Sequence, residues 1–157
     1  MDWAFLPFQR YFELSGRSTR REYWLFTLLG GVVYAFATVL MVIGGMGLEA
    51  EQVDFSQVDA TFWFGSAIAG LYALFSFIPS ITVVVRRLHD RDLSGWWYLG
   101  FILVGWVPLI NLVAGLVFLV QLLLGGTTGS NRFGPDPRYQ PLDAAATRRT
   151  YHEAMRR

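Results

Sequence analysis

The chain has 157 residues, 54% of them hydrophobic and 17% aromatic, with a mean hydropathy of +0.37, which is too apolar for an ordinary soluble domain and suits one compact membrane unit. A net charge of +1 with neither a basic tract nor an acidic tail argues against nucleic acid as a partner, and the absence of cysteine excludes disulfides, thiol catalysis and thiolate metal sites. All thirteen basic side chains are arginine, and none lies between Glu22 and Val85 or between Asp92 and Asn131, so positive charge is confined to three islands beside apolar runs, as in polytopic proteins that keep arginine on the cytoplasmic side.

Residues 1–14 mix Asp2, Arg10 and Glu13 with aromatics. That is unlike a secretory signal, and it predicts an amphipathic segment lying in the headgroup interface. Thr19-Arg20-Arg21-Glu22 has capping-box spacing, which starts a helix near Arg20. The uncharged run that follows predicts a first span over about 20–47. Residues 48–61 carry Glu49, Glu51, Asp54 and Asp59 without a basic residue, as expected of an external loop. A second span is predicted over about 62–85, with small residues at helical spacing for close packing and with Pro79 bending its cytoplasmic end. The island 86–94 returns the chain to the arginine side.

Residues 96–124 carry no charge. As one helix they would extend about 43 Å, well beyond a hydrocarbon core of about 30 Å. Gly105-Trp106-Val107-Pro108 with Asn111 breaks the run, so a tight hairpin of two short helices over about 95–108 and 110–125 is predicted. A single span would place the later arginines outside, against the charge rule. Full crossing and re-entry from one side give the same sidedness. The loop 125–137 is dense in Gly, Pro, Thr and Asn, and 138–157 form an Arg-rich cytoplasmic tail. The predicted class is an all-α membrane protein with about four transmembrane helices, the third and fourth forming the hairpin, in a single membrane domain over 1–137.

Three strings carry the polar chemistry. They are Leu14-Ser15-Gly16-Arg17 with Arg20-Arg21-Glu22-Tyr23-Trp24, Arg86-Arg87-Leu88-His89-Asp90 with Ser94-Gly95-Trp96-Trp97, and Asn131-Arg132-Phe133-Gly134-Pro135-Asp136-Pro137. In order and spacing they resemble the bacterial inner-membrane family called domain of unknown function 805, the YhaH-like proteins, from about Phe12 to Pro137. The resemblance implies a small multispanning protein of the cytoplasmic membrane. It implies no activity.

Each string lies at the cytoplasmic end of a predicted span, so folding can gather them into one layer, with both termini inside. Arg17, Arg20, Arg21, Glu22, Arg86, Arg87, His89, Asp90, Arg132 and Asp136 are the candidate headgroup- or ligand-binding residues, because guanidinium forks donate bidentately to phosphate or carboxylate. The competing structural reading has the arginines orient the spans and pair with Glu22, Asp90, Asp92 and Asp136. His89 beside Asp90 reads as a local hydrogen bond at a helix end before a general base, and Asp92 or Ser94 as a cap for the helix entered at Trp96. No metal-ligand spacing, catalytic elbow or phosphate-cradling lysine loop occurs, so no cofactor is expected. A non-enzymatic structural or accessory role, with anionic lipid or a protein as partner and a homo-oligomer left open, ranks ahead of a small oligomeric carrier or channel. A membrane enzyme acting on a phosphorylated lipid ranks behind both.

Overall fold

The computed structural model describes residues 3–45, 58–108 and 110–138. The acidic loop, apart from its last residues, and the tail beyond Arg138 lie outside the described residues. Those described form helices and loops with no strand: α1 (Leu6–Gln9), α2 (Arg20–Gly45), α3 (Ala60–Asp90), α4 (Trp96–Val104) and α5 (Ile110–Leu123). Two compact units divide the chain, one made of Met1–Glu13 and Arg21–Val83, the other of Leu14–Arg20 and Val84–Arg157.

In the first unit, α2 and α3 are long and apolar enough to cross a membrane. α2 begins at Arg20, where the capping-box spacing puts it, and Glu22 in its first turn suits the positive end of the helix dipole. Large apolar side chains such as Leu28, Val32 and Phe36 on α2, and Leu74, Phe75 and Phe77 on α3, stand exposed. In water that surface would be untenable; facing hydrocarbon it is the expected solution. The end of α2 is tied to the start of α3, because the Asp59 N–H donates to the Gly44 carbonyl at 3.1 Å. Asp59 also caps α3, its carboxylate accepting from the Ala60 N–H at 2.6 Å and from the Thr61 hydroxyl at 2.9 Å.

Of the small residues on α3, Gly65 makes the close approach: a Cβ there would lie 2.7 Å from the Ala37 carbonyl oxygen, whereas Gly70 faces open space. Tyr34 and Tyr72 pack edge to face at 5.3 Å. The N-terminal segment forms only one helical turn, started by Pro7, and docks on α2 through an edge-on contact of Phe8 with Phe26 at 5.4 Å. α3 continues through Pro79. The Ser80 hydroxyl donates to the Phe77 carbonyl at 2.7 Å, so it does not serve the Phe75 carbonyl that the proline leaves without its helical donor.

α3 also runs five residues past the predicted end at 85, so Arg86, Arg87, His89 and Asp90 sit on helix and not in a loop. Arg87 and His89 in the last turn suit its negative end. The helix stops in a Schellman turn: Asp92 N–H donates to the His89 carbonyl at 3.0 Å and Leu93 N–H to the Leu88 carbonyl at 3.0 Å, with Asp92 left-handed at φ 60°. Gly95 takes the N-cap of α4, in place of Asp92 or Ser94, although the Ser94 hydroxyl accepts from the Trp96 N–H at 3.4 Å.

α4 and α5 form the second unit's hairpin. Phe118 packs against both Phe101 at 4.9 Å and Tyr98 at 6.0 Å. Its helices, of 9 and 14 residues, stop short of the predicted limits. The α4 end is set by Gly105 and the Pro108 that follows it.

Gly65→Val should lower the thermal unfolding midpoint in detergent, by an amount corresponding to about 1–3 kcal/mol of overpacking. Gly70→Ala should be neutral or slightly stabilising, since nothing meets its Cβ and alanine favours helix.

Candidate functional site

The polar residues of the second unit organise around Asp90, whose side chain is nearly inaccessible. One carboxylate oxygen accepts from Arg17 Nε at 3.0 Å and Nη2 at 2.8 Å, and the other accepts from Arg87 Nη1 at 2.5 Å. Gly126 passes so close that a Cβ there would overlap the carboxylate, which explains a glycine at this point of the loop. The Asp90 carbonyl accepts the Thr127 N–H at 2.9 Å, so both ends of this residue hold the segment after α5.

Main-chain carbonyls take further donors of Arg17, Arg20, Arg87 and Arg91. Arg17 also donates to Thr127 and Gly129 carbonyls, each at 2.6 Å. Arg87 donates through Nε and Nη2 to the Leu122 carbonyl at 3.1 Å, and through Nη2 to that of Leu124. Arg91 reaches the Gly125 carbonyl at 2.7 Å, and Arg20 that of Leu123 at 3.3 Å. The last carbonyls of a helix lack intrahelical donors and carry its negative dipole end. Guanidinium groups from the start of α2 and the end of α3 therefore cap α5.

His89 turns away from Asp90. Its Nδ1 meets the Gly16 carbonyl at 3.1 Å, so Nδ1 carries the proton there, and Gly16 adopts φ 82° to present that carbonyl. The ring lies flat on Phe133 at 3.9 Å, and the Arg132 guanidinium sits 4.9 Å from the Phe133 centroid. Expected as a local hydrogen bond at a helix end, the contact is made at the end of α3 but reaches the backbone of Gly16, 73 residues away, while Arg17 and Arg87 occupy Asp90. Asn131 fixes the third string beneath: its Nδ2 donates to the His89 carbonyl at 2.9 Å and its Oδ1 accepts the Phe133 N–H at 2.9 Å.

The ten candidate residues therefore separate. Arg17, Arg87 and Asp90 meet in one buried ionic cluster, while His89 adjoins through backbone and stacking contacts. Arg86 is fully buried in the same unit, and its carbonyl accepts the Ser18 N–H at 3.0 Å. Arg20 and Arg132 are exposed, Arg132 pairing with Asp92 at 3.1 Å. Asp136 binds Arg138 through both oxygens, at 2.8 and 2.6 Å, and accepts the Gly129 N–H at 3.2 Å. In the first unit, Arg21 is exposed and Glu22 buried. Sequence reasoning missed Arg91, Thr127, Asn131 and Arg138 as site residues. Arg91 and Asn131 lay inside the polar islands, but acceptor carbonyls carry no residue signature. Among the described residues no group of three or more His, Cys, Asp or Glu could hold a metal ion.

Asp90→Ala leaves two buried guanidinium groups without their anion and should cost about 3–5 kcal/mol of stability, the range for breaking a buried ionic cluster. Asp92→Asn, which removes an exposed pair and keeps a residue that tolerates the left-handed backbone, should cost no more than about 1 kcal/mol; thermal unfolding of both variants in one detergent makes the comparison. Arg138 holds the Asp136 carboxyl at about 2, below its ordinary 3.8. Because the folded value is the lower one, this contribution is complete above 3.8 and is lost as pH falls towards about 2. Hydrogen-exchange protection of the Gly129 and Arg138 amides should fall across that window and be weak at every pH in Asp136→Asn.

The family described as "Protein of unknown function (DUF805)" matches residues 11–135. Among curated proteins, "Inner membrane protein YhaI" of Escherichia coli K12 is 37% identical over 139 residues, covering 88% of this chain and 98% of the relative. "Inner membrane protein YhaH" of the same strain is 33% identical over 141 residues, covering 90% of this chain and all of the relative. "Uncharacterized protein YiiR", also of that strain, is 27% identical over 147 residues, covering 82% and 88%. No solved structure matches. With the family matching most of its length and two such relatives aligned nearly end to end, the chain belongs to the DUF805 family.

Proposed function

We propose that this chain is a non-enzymatic, multi-pass protein of the inner membrane, with both termini in the cytoplasm. In this reading its buried guanidinium groups close the fold, and its exposed ones contact anionic lipid headgroups, Arg20 doing so while it also reaches the end of α5. α2 and α3 cross, and the α4–α5 hairpin brings the chain back to its starting side, which keeps every arginine cytoplasmic. The names of the YhaI and YhaH relatives support the compartment.

The observation that carries this reading is where the donors point. Arg17 and Arg87 direct theirs at Asp90 and at carbonyls, leaving little to offer a ligand. Arg20, Arg21 and Arg132 are exposed, and an exposed pair such as Arg132 with Asp92 exchanges for a phosphate at little cost. His89 and Asp90 take different partners, so no acid–base pair forms between them. The exposed Trp96 and Trp97 at the start of α4 suit the same headgroup level.

In native mass spectrometry of protein extracted from mixed vesicles, phosphatidylglycerol should be retained over phosphatidylcholine, and added salt should reduce the preference. Replacing Arg20, Arg21 and Arg132 together by Gln should remove most of it, since each surface arginine contributes about 1 kcal/mol, or about fivefold. Arg17→Gln should instead lower stability. Wild-type protein that retains both lipids equally would refute the headgroup reading.

A further inference from the structure

We infer that the α4–α5 hairpin is a re-entrant wedge that occupies only the cytoplasmic leaflet, its partner being the acyl chains of that leaflet. This rests on the sidedness proposed above and goes beyond it. The arms are too short to cross. With 9 residues α4 extends about 14 Å and with 14 residues α5 extends about 21 Å, against the roughly 30 Å of hydrocarbon that a crossing must traverse.

The base of the hairpin fixes where those arms begin. α5 ends among the guanidinium groups of Arg20, Arg87 and Arg91, which take the carbonyls of Leu122, Leu123, Leu124 and Gly125. At the start of α4, Gly95 lies against Val85 and His89, where a Cβ would stand 2.8 Å and 3.5 Å from their side chains. Both arms thus start from the arginine layer, which stays at or outside the hydrocarbon boundary. Starting there, the 9-residue arm ends near the bilayer centre, about 15 Å deep, and the 14-residue arm meets it at that depth when tilted.

Four described N–H groups at the tip find carbonyls within the hairpin, which suits this depth, because a turn exposed at the outer surface can leave its backbone to water and a turn inside hydrocarbon cannot. Here the Gly105, Trp106 and Val107 N–H groups donate to the Phe101, Leu103 and Val104 carbonyls at 2.9, 3.3 and 3.0 Å. Pro108 has no N–H, and the Asn111 N–H donates to the Val107 carbonyl at 3.0 Å. Trp106 is 84% exposed at this tip, no residue of α4 is buried, and 96–124 hold no charge. A turn with these donors met, on arms so apolar and so short, suits acyl chains around its outer faces.

The test uses the native absence of cysteine. The single variants Trp106→Cys and Val107→Cys, with Val58→Cys and Ser130→Cys as references, are treated with a membrane-impermeant maleimide in intact spheroplasts and in inverted vesicles. The thiol at position 58 should label from outside and the thiol at position 130 from inside. Thiols at positions 106 and 107 should label from neither side, at least about tenfold more slowly than the references, because hydrocarbon excludes the charged reagent. Nitroxide spin labels at positions 106 and 107 in reconstituted protein should show high oxygen and low nickel-chelate accessibility, as near the bilayer centre. Outside labelling, or an interfacial spin-label depth, would overturn the wedge in favour of two crossings. Inside labelling would overturn it in favour of a surface-lying hairpin. If the two reference thiols themselves label from the wrong sides, the sidedness fails and with it the leaflet assigned here, whereas tip thiols that label from neither side still mark a re-entrant turn. Thermal unfolding confirms that each variant is folded, and the two tip positions check one another.

Discussion

The Asp90 carboxylate, enclosed between Arg17 and Arg87, is the constraint on which the second unit depends. A charge taken out of water is costly unless paired and hydrogen-bonded on all sides. Satisfying this one requires the stretch of chain before α2, the last turn of α3 and the loop after α5 to meet at one place. The cluster is not neutral, since two guanidinium groups surround one carboxylate. The excess is offset where Arg87 touches the terminal carbonyls of α5, the negative end of a helix dipole.

Arginine suits this task and lysine does not occur in the chain. A planar fork can serve two or three acceptors in fixed directions and keeps its charge when buried, whereas an ammonium is a strongly hydrated point charge. Arg17 uses the fork on a carboxylate and two carbonyls at once. Residues 122–129 thereby act as a run of main-chain acceptors. In the proposed topology the positive charges that orient the protein during insertion become internal fastenings once it is folded, so topological and structural roles are successive uses of the same side chains.

The membrane part follows other physics. α2 and α3 need no polar interior, because their apolar surface is stable in hydrocarbon and their close approach rests on backbone shape at Gly65. The hairpin's helices, of 9 and 14 residues, are tied at their base by the arginine clasp, and in the proposed topology they depend on lipid around them.

Much of this was legible in the sequence because it depends on composition along the chain. Charge-free runs announce α2 and α3, Gly105 and Pro108 announce the hairpin turn, and segregated arginines announce which ends gather. The start of α2 at Arg20 could be read from Thr19 and Glu22. Partner choice was not legible: Arg87 and Arg20 look alike in sequence, yet one is buried against Asp90 and the other exposed. Nor could sequence show that His89 would bind Gly16, that Asp92 would take the left-handed place of a glycine, or that α5 would be capped from elsewhere. Every residue has a carbonyl, so acceptors are anonymous until the chain folds. Hydrophobic periodicity and charge position act locally and survive in one dimension, whereas which guanidinium meets which oxygen is set by distances between segments as much as 112 residues apart, and only the tertiary structure decides those.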